Sequence, residues 1–420
     1  MSAQLSKLGN GFRVATDQMP GLKSAAVAVH VKVGARNESA RLNGIAHFLE
    51  HMAFKGTRTR SAIQISETIE EVGGFLNAYT SRESTVYQAG VLEDDVPLAI
   101  ELIGDILRHS IFDPNEIEVE RGVILSEIGE YEDSPVDVVF DALQRTIYPE
   151  QQFGRPIIGT SQTVSSFRQP DFRSFVDKHY GPERMILTVA GSVQHDQIVR
   201  LAEAHFGDAM PQKATRRRRP HFVGGEYRKS RDIEQAQFAF AFPGPSLREK
   251  ISYVARVFGV VLGGGSSSRL FTEAREKRGL CYSVSSHAAP GPDTGLFVLH
   301  ASTGAHELGE LVKLCADEIR RSADTITARE VERAKTQIRV AILMGAESPA
   351  NRIERMGSLV GLRGQLETLE ATIARYDSVT LDAVAEYAHA LAGSQSAAMA
   401  VYGPVQAAPF RDDFLGWLQS

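Results

Sequence analysis

Cysteine is scarce: Cys281 and Cys315 are the only two in 420 residues. That excludes a disulfide framework and suits a reducing compartment. No apolar run is long enough for a membrane helix. Even the stretch from Val340 to Gly345 is closed off by Arg339 and Glu347, so no membrane insertion is expected. Positive charge is not in excess either. With 46 Lys+Arg against 52 Asp+Glu the net charge is −6, which argues against nucleic acid as the main partner. The stretch from Met1 to Lys7 shows no apolar segment behind a basic one and is not Arg-rich. Neither a secretory nor a transit signal is predicted, and a cytoplasmic address follows as an expectation. What is present is an ordinary globular composition, 43% hydrophobic and 23% charged. The length exceeds what one hydrophobic core usually holds, so two domains are expected.

One basic block, Arg216 to Arg219 ahead of Pro220, reads as a solvated interdomain linker. Acidic clusters at Glu93-Asp94-Asp95 and from Glu130 to Asp133 would suit a cationic ligand. The linker, residues 213–225, separates a first domain, 1–212, from a second, 226–420. The two halves run through similar events. Ser24 to Val33 and Gln235 to Phe242 alternate as half-buried strands. Apolar helices follow, Gly44 to Phe54 and Ile251 to Leu262, and then strands Thr85 to Leu92 and Gly295 to Ala301. Amphipathic helices come next, Val96 to Ser110 and His306 to Ser322, then charged ones, Glu116 to Glu132 and Ala328 to Met344. Each half ends this run with a further helical stretch, Val136 to Ile147 and Ala350 to Gly361. The order predicts an α+β chain: two homologous α/β sandwich-like units in tandem, each a mixed, mostly antiparallel sheet with helices on one face.

The helix around His47 is apolar nearly all round, yet His47, Glu50 and His51 fall within it. His47 and His51 stand at i and i+4, so both imidazoles can point at one ion. Glu50 lies beside them, and a buried carboxylate needs a partner such as a divalent cation. Two imidazoles, a carboxylate oxygen and an open position make a catalytic zinc site. The alternative is a pair of satisfied core histidines with an unrelated glutamate. A third ligand is on offer downstream. Asp113-Pro114-Asn115-Glu116 opens a helix on which Ile117, Glu120, Ile124, Glu127 and Tyr131 form one stripe. Two carboxylates thus sit on the face expected to be inside. Glu127 is predicted to be the ligand and Glu120 the group that orients a ligand histidine. The competing account is an imprecise stripe with both acids at its wet edge.

The pattern His47-x-x-Glu50-His51, with Glu127 downstream behind Arg121-Gly122-Val123-Ile124-Leu125-Ser126, resembles the inverzincin, or pitrilysin-type, zinc metallopeptidases. The wider stretches His47-Phe-Leu-Glu-His-Met-Ala-Phe-Lys-Gly-Thr57 and Phe75-Leu-Asn-Ala-Tyr-Thr-Ser-Arg-Glu83 look especially like the catalytic beta subunit of mitochondrial processing peptidase and its bacterial homologues. The resemblance spans essentially the whole chain and implies duplicated units of the LuxS/metallopeptidase-like fold. It implies zinc on His47, His51 and Glu127, with Glu50 as general base and Glu120 as a further acid on the ligand helix. It also implies that Arg275 and Tyr282, in Arg275-Glu-Lys-Arg-Gly-Leu-Cys-Tyr282, hold the scissile carbonyl. A helix-end salt bridge and a packed tyrosine are the plain alternative for those two. The strand Phe75 to Tyr79, with Phe75, Asn77, Ala78 and Tyr79, is similar to the edge on which the family lays its peptide. The run Gly263-Gly264-Gly265-Ser266-Ser267-Ser268 has no following Lys-Ser/Thr, so it is read as a helix cap and not a phosphate loop.

The expected function is therefore a zinc-dependent endopeptidase acting on extended peptides, with basic character favoured, or on presequence-like segments inside a closed chamber. The chamber would be made by a homodimer, or by a heterodimer with a homologous subunit. The alternatives are a non-catalytic core protein of the same fold and a peptide-binding module with structural zinc.

Overall fold

The computed structural model describes residues 3–212 and 218–420. Of the basic block and the linker predicted at 213–225, residues 213–217 lie outside the described residues. Two compact units form. The first comprises Met1–Gly129, Arg155–Arg217 and Leu343–Leu369, the second Glu130–Gly154, Arg218–Ile342 and Glu370–Ser420.

The first unit is built on a six-stranded sheet ordered β1-β2-β6-β3-β5-β4. Its strands are β1 (Gln4–Lys7), β2 (Arg13–Gln18), β3 (Ser24–Val31), β4 (Phe75–Thr80), β5 (Thr85–Leu92) and β6 (Met185–Gly191). The second unit carries a five-stranded sheet ordered β7-β11-β8-β10-β9. These strands are β7 (Gly225–Ser230), β8 (Ala236–Gly244), β9 (Cys281–Pro290), β10 (Gly295–Thr303) and β11 (Ala398–Gly403). In each sheet one pair is parallel, β2 with β6 and β7 with β11, and the rest are antiparallel. Leaving β1 aside, the two orders superpose strand for strand. The internal repeat read from element order is thus a repeat of topology, and the edge strand β4 has β9 as its counterpart.

In the first unit, helices α1 (Ile45–Met52), α2 (Ala62–Glu70), α3 (Val96–His109) and α4 (Pro114–Asp133) cover one face. Val27, Val29 and Val31 of β3 meet Phe48, Ile65, Ile103 and Ile124 in its main core. The predicted one-sided arrangement is extended by a helix on the other face as well, the helix Pro349–Arg363. It sets Ile353, Met356 and Val360 on Ala15, Ala26, Ala28, Ile186 and Ala190. The second unit repeats the device with α5 (Pro135–Ile147), whose Val139, Ala142, Leu143 and Ile147 lie on Ala239, Ala241, Ala398 and Ala400.

The compact units therefore differ from the division at 1–212 and 226–420. Each sheet presents alanine on its second face, which leaves room for one helix, and the helix comes from the other half of the chain. Cys281 and Cys315 are both buried free thiols. Among the described residues no helix is long and apolar enough to cross a membrane.

Candidate metal centre

Helix α1 begins where the chain turns through Gly44 at φ 94°. A Cβ there would stand 2.7 Å from the Gly159 Cα, so glycine is required twice over. No side chain at Gly44 can cap the helix, and the Glu38 carboxylate does so instead. It accepts from the amides of Gly44 (2.8 Å) and Ala46 (2.9 Å) and from Asn43 Nδ2 (3.0 Å). Burial pushes the Glu38 carboxyl up to about 8, opposed by the donors of Ala46, Asn43 and Gly44. Ile45, Ala46, Phe48, Leu49 and Met52 are buried, and Phe48 meets Phe172 edge-on at 5.0 Å. The apolar helix is anchored on three sides. Its open side carries His47, Glu50 and His51.

Helix α4 is capped as its opening residues predict: Asp113 Oδ1 accepts from the amides of Asn115 (2.7 Å) and Glu116 (3.4 Å). Its buried stripe is Ile117, Glu120, Arg121, Ile124 and Ile128. The predicted stripe holds through Ile124 and then drifts. Tyr131 is 41% exposed, because 3.6 residues per turn carries Ile128 and not Tyr131 onto the inner line. That drift leaves Glu127 half-buried at the rim, beside α1.

His47 Nε2 lies 3.9 Å and His51 Nε2 3.7 Å from the same oxygen, Glu127 Oε2. Both distances are too long for hydrogen bonds. Tetrahedral donors on zinc bonds of about 2.0–2.2 Å stand roughly 3.4 Å apart, close to this spacing. Donor atoms of these three residues all lie within 4.8 Å of one another, the one such group among the described residues. His47 is held neutral, its value pushed down to about 4 by burial and then by His51. Its Nδ1 is buried without a hydrogen-bond partner among the described residues. Two imidazole nitrogens and one carboxylate oxygen fit zinc.

Glu120 is 4% exposed. Its Oε2 takes a hydrogen bond from His51 Nδ1 at 3.0 Å, and its Oε1 is ion-paired with Lys55. Glu120 is therefore committed to orienting His51. The Glu50 carboxyl is raised by burial, an effect opposed by a 2.5 Å hydrogen bond from Thr80 Oγ1. Neither Glu38, Lys55 nor Thr80 is singled out by sequence reasoning. The alternation of β4 could have found Thr80, since Leu76 and Ala78, four and two positions before it, face the core that contains α1.

Strand β4 is an edge strand. Phe75 is 59% exposed and Asn77 and Tyr79 lie on the same face. The Ala78 amide is met by Asn77 Oδ1 at 2.8 Å, so it is not spent on β5. Tyr79 donates its hydroxyl proton to Glu354 Oε2 at 2.6 Å. The second unit holds the other predicted pair. Arg275 sits on a π-helical turn, Phe271–Glu276, with its guanidinium 4.8 Å from the ring centroids of both Phe271 and Tyr282. Its Nη1 donates to the Tyr282 carbonyl at 3.0 Å. The pair is a cation–π sandwich and not a helix-end salt bridge. Tyr282, near the start of β9, is 76% exposed, so it is not a packed tyrosine. Gly264 caps the helix Ile251–Gly263, as the glycine run predicts.

Comparison with known proteins adds independent findings. Residues 13–161 match the model of the insulinase family (peptidase family M16), and residues 166–338 that of the peptidase M16 inactive domain. An uncharacterized zinc protease of Rickettsia felis is 41% identical over 84% of this chain and 86% of its own. An uncharacterized zinc protease of Bacillus subtilis is 36% identical over 89% and 92%. Among solved structures, a protease from Helicobacter pylori aligns with TM-score 0.88 at 21% identity, over 96% of this chain and 99% of that one. A chain of complex III2 from Candida albicans aligns with TM-score 0.88 at 19% identity, over 99% of each. At such identities the structural likeness speaks for the fold alone.

Proposed function

The chain belongs to the insulinase (M16) family of peptidases, and from that premise we propose that it is a zinc-dependent endopeptidase of extended peptides. The observation that carries this reading is the convergence of His47 Nε2, His51 Nε2 and Glu127 Oε2, with Glu50 alongside and outside the donor set. A purely structural zinc site closes its fourth position and has no use for a neighbouring carboxylate base.

His47, His51 and Glu127 would hold the zinc, which would lower the pKa of a water and polarise the scissile carbonyl. Glu50 takes the proton of the attacking water and delivers it to the leaving amine. Burial keeps Glu50 short of solvent, which suits a group that must both accept and release a proton. Glu120 holds His51 in the tautomer that presents Nε2. The edge strand β4, through Phe75, Asn77, Ala78 and Tyr79, receives the peptide by strand addition. That mode needs a substrate whose main-chain groups are unpaired, so an extended peptide is favoured over a folded protein. The acidic clusters favour basic character, as in presequence-like segments. Arg275 and Tyr282 offer a guanidinium and a phenol suited to an oxyanion. A second copy, or a homologous subunit, would close the chamber.

The test is cleavage of a random peptide library by the zinc-loaded protein, with the Glu50→Gln variant beside it. The expected result is cleavage by the wild type, none by Glu50→Gln, and equal zinc content in both. One bound zinc with no peptide cleaved would favour a scaffold or a structural zinc site.

A further inference from the structure

Glu50 is not left to find its own orientation. Its Oε2 lies 2.5 Å from Thr80 Oγ1, on the last residue of β4. We propose that Thr80 is the positioning residue of the general base, fixing one carboxylate oxygen of Glu50 so that the other faces the attacking water. The assignment rests on the hydrolase reading.

The direction of the bond follows from counting protons. The Thr80 hydroxyl has one proton and three acceptors within reach: Glu50 Oε2 at 2.5 Å, the Ala46 carbonyl at 3.5 Å and Thr85 Oγ1 at 3.4 Å. The carboxylate is the nearest and the strongest acceptor. Thr85 cannot compete as a donor, because its own proton goes to the Val33 carbonyl at 3.0 Å. Thr80 therefore donates to Glu50, and as a β-branched residue it does so from a stiff side chain. Oε2 is engaged, while Oε1 takes no hydrogen bond among the described residues. A carboxylate free to rotate presents either oxygen; one bound at a single oxygen presents the other. A base must lie within about 2.6–3.2 Å of the proton it abstracts, and a misplacement of roughly 1 Å can cost ~100-fold in rate.

The position of Thr80 adds a second consequence. Phe75, Asn77 and Tyr79 point to one face of β4, and the hydroxyl of Tyr79 is held there by Glu354. Leu76 and Ala78 point to the other face, into the core that contains α1, and Thr80 follows them by alternation. The strand that receives the peptide and the helix that carries the base are thus joined through one hydroxyl. Substrate main chain and base share a common reference.

Two substitutions separate this role from a merely structural one. Thr80→Val keeps the shape and removes the donor; Thr80→Ser keeps the donor. Thr80→Val should lower kcat by about 10- to 100-fold, the usual weight of one hydrogen bond to a charged group. KM should stay within about twofold of wild type, with zinc content retained, and Thr80→Ser should recover most of the kcat. If Thr80→Val folds poorly, Thr80→Ala provides a second variant without the donor and should show the same loss in kcat. Wild-type kcat in a variant without the donor overturns the assignment. So does an equal loss in Thr80→Ser, or a loss confined to KM, zinc content or thermal stability. If the zinc-loaded wild type cleaves no peptide, the hydrolase reading falls and the assignment falls with it. An active wild type with an equally active Thr80→Val removes the assignment alone.

Discussion

His51 Nδ1 stands 3.0 Å from Glu120 Oε2, and that contact gives the two acids of one helix different work. With Nδ1 set against the Glu120 carboxylate, the other ring nitrogen of His51, Nε2, is turned toward Glu127 Oε2. Lys55 on the other oxygen of Glu120 balances a carboxylate that is otherwise buried. Glu127, one position off the inner line of α4, stays at the rim.

Glu120→Gln should weaken zinc binding by about 10- to 100-fold while leaving the fold intact. The amide can meet His51 but cannot raise the basicity of the imidazole or pair with Lys55. Competition with a chromophoric chelator measures the affinity, and an unchanged value would remove Glu120 from the support of the ligand.

Glu127→Gln should act more severely, releasing zinc and abolishing cleavage. A neutral amide is a poor zinc ligand beside two neutral imidazoles. Metal analysis of the purified variant decides the matter. Stoichiometric zinc would place the third ligand elsewhere, with Glu130 the next acid to test, since Glu120 is occupied by His51.

The centre is more legible in the sequence than the fold around it. His47 and His51 are brought together by helical spacing alone, and Glu120 and Glu127 by the apolar stripe that they interrupt. What the stripe could not give was its late drift, which decides that Ile128 and not Tyr131 is buried. Thr80 escaped because a threonine in a strand carries no signal of its own until its partner is known. The repeat of the two halves was readable from element order, whereas the exchange of α5 and Pro349–Arg363 was not. Amphipathic periodicity says that Ile353, Met356 and Val360 need covering, not which sheet covers them.

Gly357 tests the exchanged helix. A Cβ at this position would stand 2.4 Å from both Cε1 and Nε2 of the His30 ring on β3, both residues being buried. Gly357→Ala should therefore destabilise the first unit by about 1–3 kcal/mol, the usual cost of overpacking. Helix propensity, which favours alanine by about 1 kcal/mol, works the other way, so a net loss in chemical denaturation would show that close approach decides. Neutral or raised stability would mean that the helix can move away from β3.

His30 also gives the protein a pH dependence. Burial pushes it down to about 4, opposed by the Ile353 backbone, and its Nε2 faces Thr188 Oγ1 at 3.0 Å. The ordinary value is 6.5. Above 6.5 the imidazole is neutral in both folded and unfolded chains, so stability is fully present. Between 6.5 and 4 the unfolded chain binds a proton that the folded one refuses, and stability falls by about 2–3 kcal/mol. Denaturation midpoints across that window should drop for wild type and drop less for His30→Gln. Equal slopes would show that His30 is not the group responsible.

The last prediction concerns assembly. The candidate zinc ligands and Glu50 lie in the first unit, Arg275 and Tyr282 in the second. We expect two copies to associate so that Arg275 and Tyr282 of the partner subunit complete each zinc site, two-fold symmetry making both sites equivalent. Glu50→Gln and Tyr282→Phe should each be inactive or nearly so by themselves. Mixed under conditions of subunit exchange, about half the dimers would combine one variant of each kind, and each of these would hold one site with both residues intact. Recovery of ~25% of wild-type activity should follow, since half the dimers carry one good site of two. Sedimentation and a differently tagged second copy verify that exchange has taken place. If exchange is complete and no activity returns, Glu50 and Tyr282 do not meet across two chains.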